Sequence, residues 1–165
     1  MKVSKKILNL LHDQIAMEAN ASNYYLYLSS WCKVNGYDGA SSFFQNHSTE
    51  EREHMLKIIH YLNELKINVV IPSISKPLQK TKTLEQTLKN SLTNEQKVTK
   101  SIDKIYGVAQ NENDHRTSIF LEWFVREQIE EEDLFESILQ KFDVIGRDKL
   151  ALHEIDKHLQ KLSEK

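Results

Sequence analysis

Glu50-Glu51-Arg52-Glu53-His54 lies inside an apolar-periodic run, Phe43 to Leu65, that follows Gly39 without a further Gly or Pro. Without a breaker, such a run is helical. Residues three apart share a helical face, so Glu51 and His54 point the same way. Ile58, Tyr61 and Leu65 extend that line at 3-4 spacing, the period of a buried bundle seam. A carboxylate and an imidazole therefore stand where a core wants Leu. Desolvating a charge costs several kcal/mol unless it is paired or coordinated. A bound metal is the natural resolution, and the other ligands must come from other helices.

The remaining chain offers them. Its 165 residues contain only 4 Gly and 2 Pro, which favours long helices in a single domain spanning 1–165. Gly36/Gly39, Pro72/Pro77, Asn111/Asn113/Asp114 and Gly146 divide it into four periodic segments and a short tail. The first, Ser4 to Asn35 with Ser4 as N-cap, has the seam Leu8, Leu11, Ile15, Glu18, Ser22, Tyr25, Ser29. The second runs from Gly39 to Leu65 with Asp38 expected as N-cap, and its seam includes His47. A capping-box pattern, Thr83-Leu84-Glu85-Gln86, opens the third, whose seam is Leu84, Leu88, Leu92, Glu95, Thr99, Ile102, Tyr106, Ala109. Gly107 predicts fraying or a kink near its end. In the fourth, Arg116 to Val144, the seam passes Phe120, Phe124, Glu127 or Gln128, Glu131, Leu134 or Phe135, Ile138 and Phe142. Leu152, Ile155, Leu159 and Leu162 give the tail, Asp148 to Leu162, one apolar face.

The stretch from Lys66 to Lys82 has no helical period and carries both prolines. It is too long for a tight helix-helix turn and long enough to cross a bundle, which makes the second and third helices parallel. The expected architecture is all-α: a four-helix bundle with that crossover and a short fifth C-terminal helix.

Near mid-length each of the four helices interrupts its seam with a metal-capable group: Glu18, then Glu51 with His54, then Glu95, then Glu127 or Gln128 with Glu131. A single Glu-x-x-His is more often a solvated face; four such interruptions at one level are not. Oxygen-rich ligands with one imidazole suit iron or manganese better than structural zinc. Two metals sharing the Glu51 carboxylate would neutralise the buried charge. Tyr25, one heptad beyond Glu18, is either a core tyrosine or a catalytic one, its hydroxyl bonded to a ligand carboxylate and its ring open to a redox role. His47 and Trp123 read as packing residues or as supports behind the ligands, and Glu132 and Asp133 as a solvated face. His12, His60, His115, His153 and His158 read as surface or boundary histidines.

Composition narrows the rest. With 22 basic and 24 acidic side chains the net charge is −2, which argues against a strong nucleic-acid binder. Cys32 is alone, so no intrachain disulfide forms. No run approaches the ~20 apolar residues of a membrane span. Lys2, Lys5 and Lys6 precede a short apolar run that His12, Asp13 and Gln14 interrupt, so a signal peptide is not expected and the cytoplasm is.

Gly39-Ala40 to Phe43, His47-x-x-Glu50-Glu51-x-x-His54-Met55, and Trp123-Phe124-Val125-x-Glu127-Gln128 with the acids behind it resemble bacterial non-haem ferritin over essentially the whole chain. Ferritin-like di-iron proteins are also the general example of the ligand arrangement above. The resemblance implies a hollow homo-oligomeric shell of two dozen subunits that stores iron as ferric oxide mineral. It implies a ferroxidase centre in each subunit, oxidising Fe(II) with dioxygen or hydrogen peroxide. By position, Glu18, Glu51 and His54 correspond to the first iron site, and Glu51, Glu95 and Gln128 to the second. Glu50, Glu127, Glu130 and Glu131 match a third, and Tyr25 the tyrosine beside the centre. Bacterioferritin has a haem-ligating methionine where this chain has Arg52, so no haem is expected. Ile129 stands where histidine is common. Ser118 and Leu121 fall near the region that carries acids at three-fold pores elsewhere, which argues against an acidic entrance of that kind. The competing readings are a DNA-protecting mini-ferritin, which builds its site between subunits and lacks the fifth helix, a di-iron oxygenase, and a purely structural bundle.

Overall fold

A computed structural model describes residues 3–164; Lys2 of the basic cluster lies outside them. Five helices and no strand occur among the described residues: α1 (Lys5–Val34), α2 (Asp38–Glu64), α3 (Leu84–Asn111), α4 (His115–Ile145) and α5 (Lys149–Ser163). None is long and apolar enough to cross a membrane.

Side-chain caps set most of the starts. Ser4, Thr83, Asp114 and Asp148 each accept from a backbone N–H three residues on. The capping box at α3 is altered: Gln86 Oε1 accepts from Lys82 N at 3.1 Å rather than from Thr83. Asp38 is not the N-cap of α2. That position is Tyr37, which makes no side-chain cap, while Asp38 opens the helix and pairs with Lys33 at 2.7 Å. The cap comes from α5 instead, where the Asp156 carboxylate accepts from Gly39 N at 3.1 Å and Ala40 N at 2.7 Å. An anion at a helix N-terminus satisfies orphan donors and complements the helix dipole. Gly107 neither ends nor frays α3, which continues to Asn111.

The pairings define the directions. Ser22 meets Ser48 and Ser29 meets Ser41, so α1 and α2 are antiparallel. His47 meets Glu131 while Tyr61 meets Thr117, so α2 and α4 are antiparallel. Glu85 meets Arg147 just past α4, and Gln128 meets Glu95, so α3 also opposes α4. It follows that α2 and α3 run parallel, as the long crossover requires. The crossover tracks α1: Val70 N donates to His12 Nε2 at 3.2 Å, Ser75 N donates to Asn20 Oδ1 at 2.8 Å, and Asn23 Nδ2 donates to Ser75 O at 3.0 Å. His12 thus anchors the connection.

Two apolar clusters fill the bundle. One joins Tyr25, Leu28, Phe44, Leu88, Phe135 and Phe142 to Ile155 and Leu159 of α5. The other joins Ile7, Leu11, Ile58, Ile102, Leu121 and Phe124. Each fully buried side chain of this size contributes about 1.5–3 kcal/mol. The acids Glu18, Glu51 and Glu95 lie along the helices between these clusters. Ser118 and Leu121 are buried inside the bundle.

Candidate metal centre

Glu18 on α1, Glu51 and His54 on α2, and Glu95 and Gln128 on α3 and α4 are all buried, with Glu18 wholly so. One ligand atom from each of Glu18, Glu51 and His54 lies within 4.8 Å of the other two. His54 Nδ1 stands 3.5 Å from Glu51 Oε2, and its Nε2 stands 3.8 Å from Glu127 Oε1. The side-chain amide of Gln128 donates to Glu95 Oε2 at 3.2 Å and to the Glu95 carbonyl at 3.3 Å. The Tyr25 hydroxyl donates to the other oxygen of Glu95. Its ring is held between Phe44 and Phe135, with centroids 5.9 and 6.2 Å away and planes nearly parallel. Of the two residues between which the seam was undecided, Gln128 points inward and Glu127 is half-buried.

The acids raise one another's affinity for protons. Burial, then the neighbouring Glu51 charge, holds Glu18 well above the usual carboxylate range. For Glu51 the causes are burial and then Glu95, in the same direction. Burial pushes Glu95 up to about 7 against the donation from Tyr25. Burial, then the Glu95 charge, pushes the Tyr25 phenol well above its ordinary value. Glu127 is raised by burial in spite of His54.

Among the described residues, Gln14 Oε1, Glu18 Oε2, His47 Nε2, Glu51 Oε2 and Glu131 Oε2 are buried side-chain atoms without a hydrogen-bond partner. An unsatisfied buried polar group costs about 1–3 kcal/mol. A cation would satisfy the carboxylate oxygens among them, which are metal ligands.

The profile of the ferritin-like domain matches residues 8–145 of this sequence. The chain belongs to the ferritin family. It is 39% identical over 163 residues to a probable bacterial non-heme ferritin-like protein of Haemophilus influenzae, covering 99% of each chain. To the bacterial non-heme ferritin of Campylobacter jejuni it is 37% identical, over 98% of this chain and 96% of that one. Among solved structures, the open pore ferritin of Archaeoglobus fulgidus superimposes with a TM-score of 0.92 at 30% identity over 96% of both chains. Chlorobium tepidum ferritin gives 0.86 at 35% identity over 97% and 98%. This ferritin therefore has the all-α fold of its family, a family of iron-storage proteins, and carries a carboxylate and histidine group able to hold metal.

Beyond that inner group, Glu50, Glu127, Glu130 and Glu131 line a groove of about 880 Å³ between α2 and α4. Glu131 is buried, Glu127 is half-buried, and Glu50 and Glu130 are exposed. Trp123 packs its edge on His54, 5.3 Å between centroids, under the Lys57 ammonium at 4.1 Å. Glu132, expected to be solvated, is half-buried and accepts from the Thr99 hydroxyl. Asp133 is exposed as expected. Two further buried side chains stand directly behind the acids. Gln14 is wholly buried and donates to Glu18 Oε1 at 2.7 Å; the signal was its place one turn before Glu18. His47 is buried against Glu131, and the signal was its place one turn before both Glu50 and Glu51.

Proposed function

We propose that the chain is a ferroxidase subunit, which binds two Fe(II) at the buried centre, oxidises them, and stores the product as ferric oxide inside a shell of two dozen copies in the cytoplasm. The observation that carries this reading is the buried group of Glu18, Glu51 and His54, with one ligand atom of each within 4.8 Å of the other two.

In this reading Glu18, Glu51 and His54 hold one Fe(II), and Glu51, Glu95 and Gln128 hold the other, with Glu51 common to both. The donors are preorganised: Gln14 fixes one oxygen of Glu18, and Tyr25 and Gln128 fix Glu95. Carboxylates that held protons release them when a cation arrives. Hard oxygen ligands favour the Fe(III) product over Fe(II), which assists electron loss. Each iron gives one electron; dioxygen, taking two electrons and two protons, leaves as hydrogen peroxide, and peroxide taking two more of each leaves as water. Glu50, Glu127, Glu130 and Glu131 form a third iron site that receives ions passing between the centre and the groove. The aromatic clamp on Tyr25 supports a role in steadying Glu95 during these steps.

The test is aerobic addition of Fe(II) to the protein sized by chromatography. Rapid growth of ferric absorbance, with iron co-eluting with the assembly, is expected. Glu51→Ala combined with His54→Ala removes the rapid phase while the assembly persists. Equal rates in both proteins refute the reading.

A further inference from the structure

Thr99 of α3 and Glu132 of α4 are half-buried and belong to neither of the inner sites proposed above. The Thr99 hydroxyl donates to Glu132 Oε1. Glu131 and Asp133, on either side of Glu132 in the chain, line the groove between α2 and α4, whereas Glu132 turns to α3.

On its other side Thr99 meets Gln128. Three oxygens surround the Gln128 side-chain nitrogen: Glu95 Oε2 at 3.2 Å, the Glu95 carbonyl at 3.3 Å and Thr99 Oγ1 at 3.5 Å. The two ends of a side-chain amide are told apart by their partners. A carbonyl and an ionised carboxylate only accept, so the end that faces Glu95 is the NH2. The Thr99 hydroxyl is the one partner that could serve either end, because a hydroxyl both donates and accepts. It has a single hydrogen. Two acceptors compete for it, Glu132 and the Glu95 carbonyl one turn back, which lies 3.1 Å from Thr99 Oγ1. Hydrogen bonds to an ionised group are about twice as strong as neutral ones. Glu132 therefore takes the hydrogen. The Glu95 carbonyl stays open to Gln128, and Thr99 shows the amide only lone pairs. A flipped amide would set Oε1 against three acceptors.

We infer that Glu132, acting through Thr99, is a positioning residue that locks the Gln128 amide with its nitrogen on Glu95 and leaves Oε1 as the atom it offers to a metal ion. The oxygen is the end of an amide that binds a hard cation. The inference rests on the proposed place of Gln128 at the second iron, and neither Thr99 nor Glu132 touches that ion.

The probe is Co(II), titrated without oxygen into chelator-stripped protein and followed by its visible absorbance. Crystal structures of the metal-free proteins accompany the titration. Groups that orient metal ligands contribute 10–100-fold to affinity, and a group acting through one intermediary should give about the lower figure. Glu132→Ala is expected to weaken one of two bound Co(II) about tenfold and to leave the ion at Glu18, Glu51 and His54 unchanged. Thr99→Val should do the same, and Thr99→Ser, which keeps the hydroxyl, should bind as wild type does. In the double variant Glu132→Ala/Thr99→Val the two losses should not add, since both break one chain of hydrogen bonds. Metal-free Glu132→Ala should show Gln128 in more than one conformer, and wild type in one. Unchanged affinity at both ions overturns the inference. Equal weakening of both ions, or losses that add, also overturns it, because those mark a merely structural role. A wild-type protein that takes up fewer than two Co(II) per chain is a failure of the two-iron reading instead. The crystals then decide the positioning alone: a loosened Gln128 in Glu132→Ala upholds it, and an unchanged one overturns it.

Discussion

The side-chain amide of Gln14 donates to Glu18 Oε1 at 2.7 Å and leaves Oε2 as the one oxygen of that carboxylate without a partner. A buried carboxylate with one oxygen occupied offers the other in a fixed direction. Gln14→Met keeps the volume and removes the donor, so Glu18 becomes free to rotate. Groups that orient metal ligands typically contribute 10–100-fold to affinity. Anaerobic Co(II) titration should show about a tenfold weakening at the inner site. A Gln14 that merely fills space leaves affinity unchanged.

The metal-free protein should be limited by its own acids. Glu18 has a folded-state pKa well above its unfolded value. Above the unfolded value of about 4.3 the unfolded chain therefore holds fewer protons, and this group makes stability fall as pH rises through the folded value. Glu18→Gln keeps the acceptor for Gln14 and turns an amide toward Glu51. It should raise the Tm of the chelator-treated protein at pH 8, by about 2–4 °C for each kcal/mol recovered. The gain should shrink as pH is lowered toward about 4.3. Thermal unfolding across that range checks it, and a gain independent of pH contradicts the assigned cause.

Gly39 is where α5 presses on the start of α2. A Cβ there would sit 2.0 Å from the carbonyl oxygen of Asp156, a backbone atom that cannot step aside. Gly39→Ala must push α5 away and lose the cap that Asp156 gives Gly39 and Ala40. Overpacking of this kind costs about 1–3 kcal/mol, and loss of a cap about 0.5–2. Hydrogen exchange should accelerate in α5 and the first turn of α2 while α3 remains protected. Unchanged exchange in α5 contradicts the docking described.

At the junction of α4 and α5, Arg147 grips Glu85 with two nitrogens, at 2.8 and 2.9 Å. The Arg147 hydrogen bonds, then Lys89, hold the Glu85 carboxyl down to about 2. The pair's contribution is present above the unfolded value of about 4.3 and is lost as pH falls through about 2. Exposure and salt keep it small. Arg147→Lys, which cannot reproduce the bidentate grip, should lower Tm slightly at pH 7 in low salt. The difference should shrink steadily as pH falls from about 4.3 toward 2, and vanish in high salt. A difference that persists in 1 M salt contradicts an electrostatic origin.

The bundle and its inner acids were legible because a helix repeats. Glu18, Glu51, His54 and Glu95 each break a 3-4 apolar line, and a break in a period shows in one dimension. What periodicity leaves open is rotation by a fraction of a turn. Glu127 and Gln128 are adjacent, and only packing decided that Gln128 faces Glu95. The same ambiguity hid the burial of Ser118, Leu121 and Glu132. Relations between distant segments left no local trace at all. Asp156 caps a helix that begins 118 residues before it, and Asp38, the obvious local choice, pairs with Lys33 instead. The sequence left His47 between packing and support of the ligands, and the structure gives it both, one face on Phe43 and its Nε2 toward Glu131.

The central claim is that the level of buried acids between the two apolar clusters is a two-ion iron site. Anaerobic titration of the metal-free protein with Fe(II) tests it most directly. The account predicts tight uptake of about two ions per chain, with protons released, and loss of that uptake in Glu51→Ala/His54→Ala. Uptake of less than one ion per chain, or uptake indifferent to those substitutions, would contradict it.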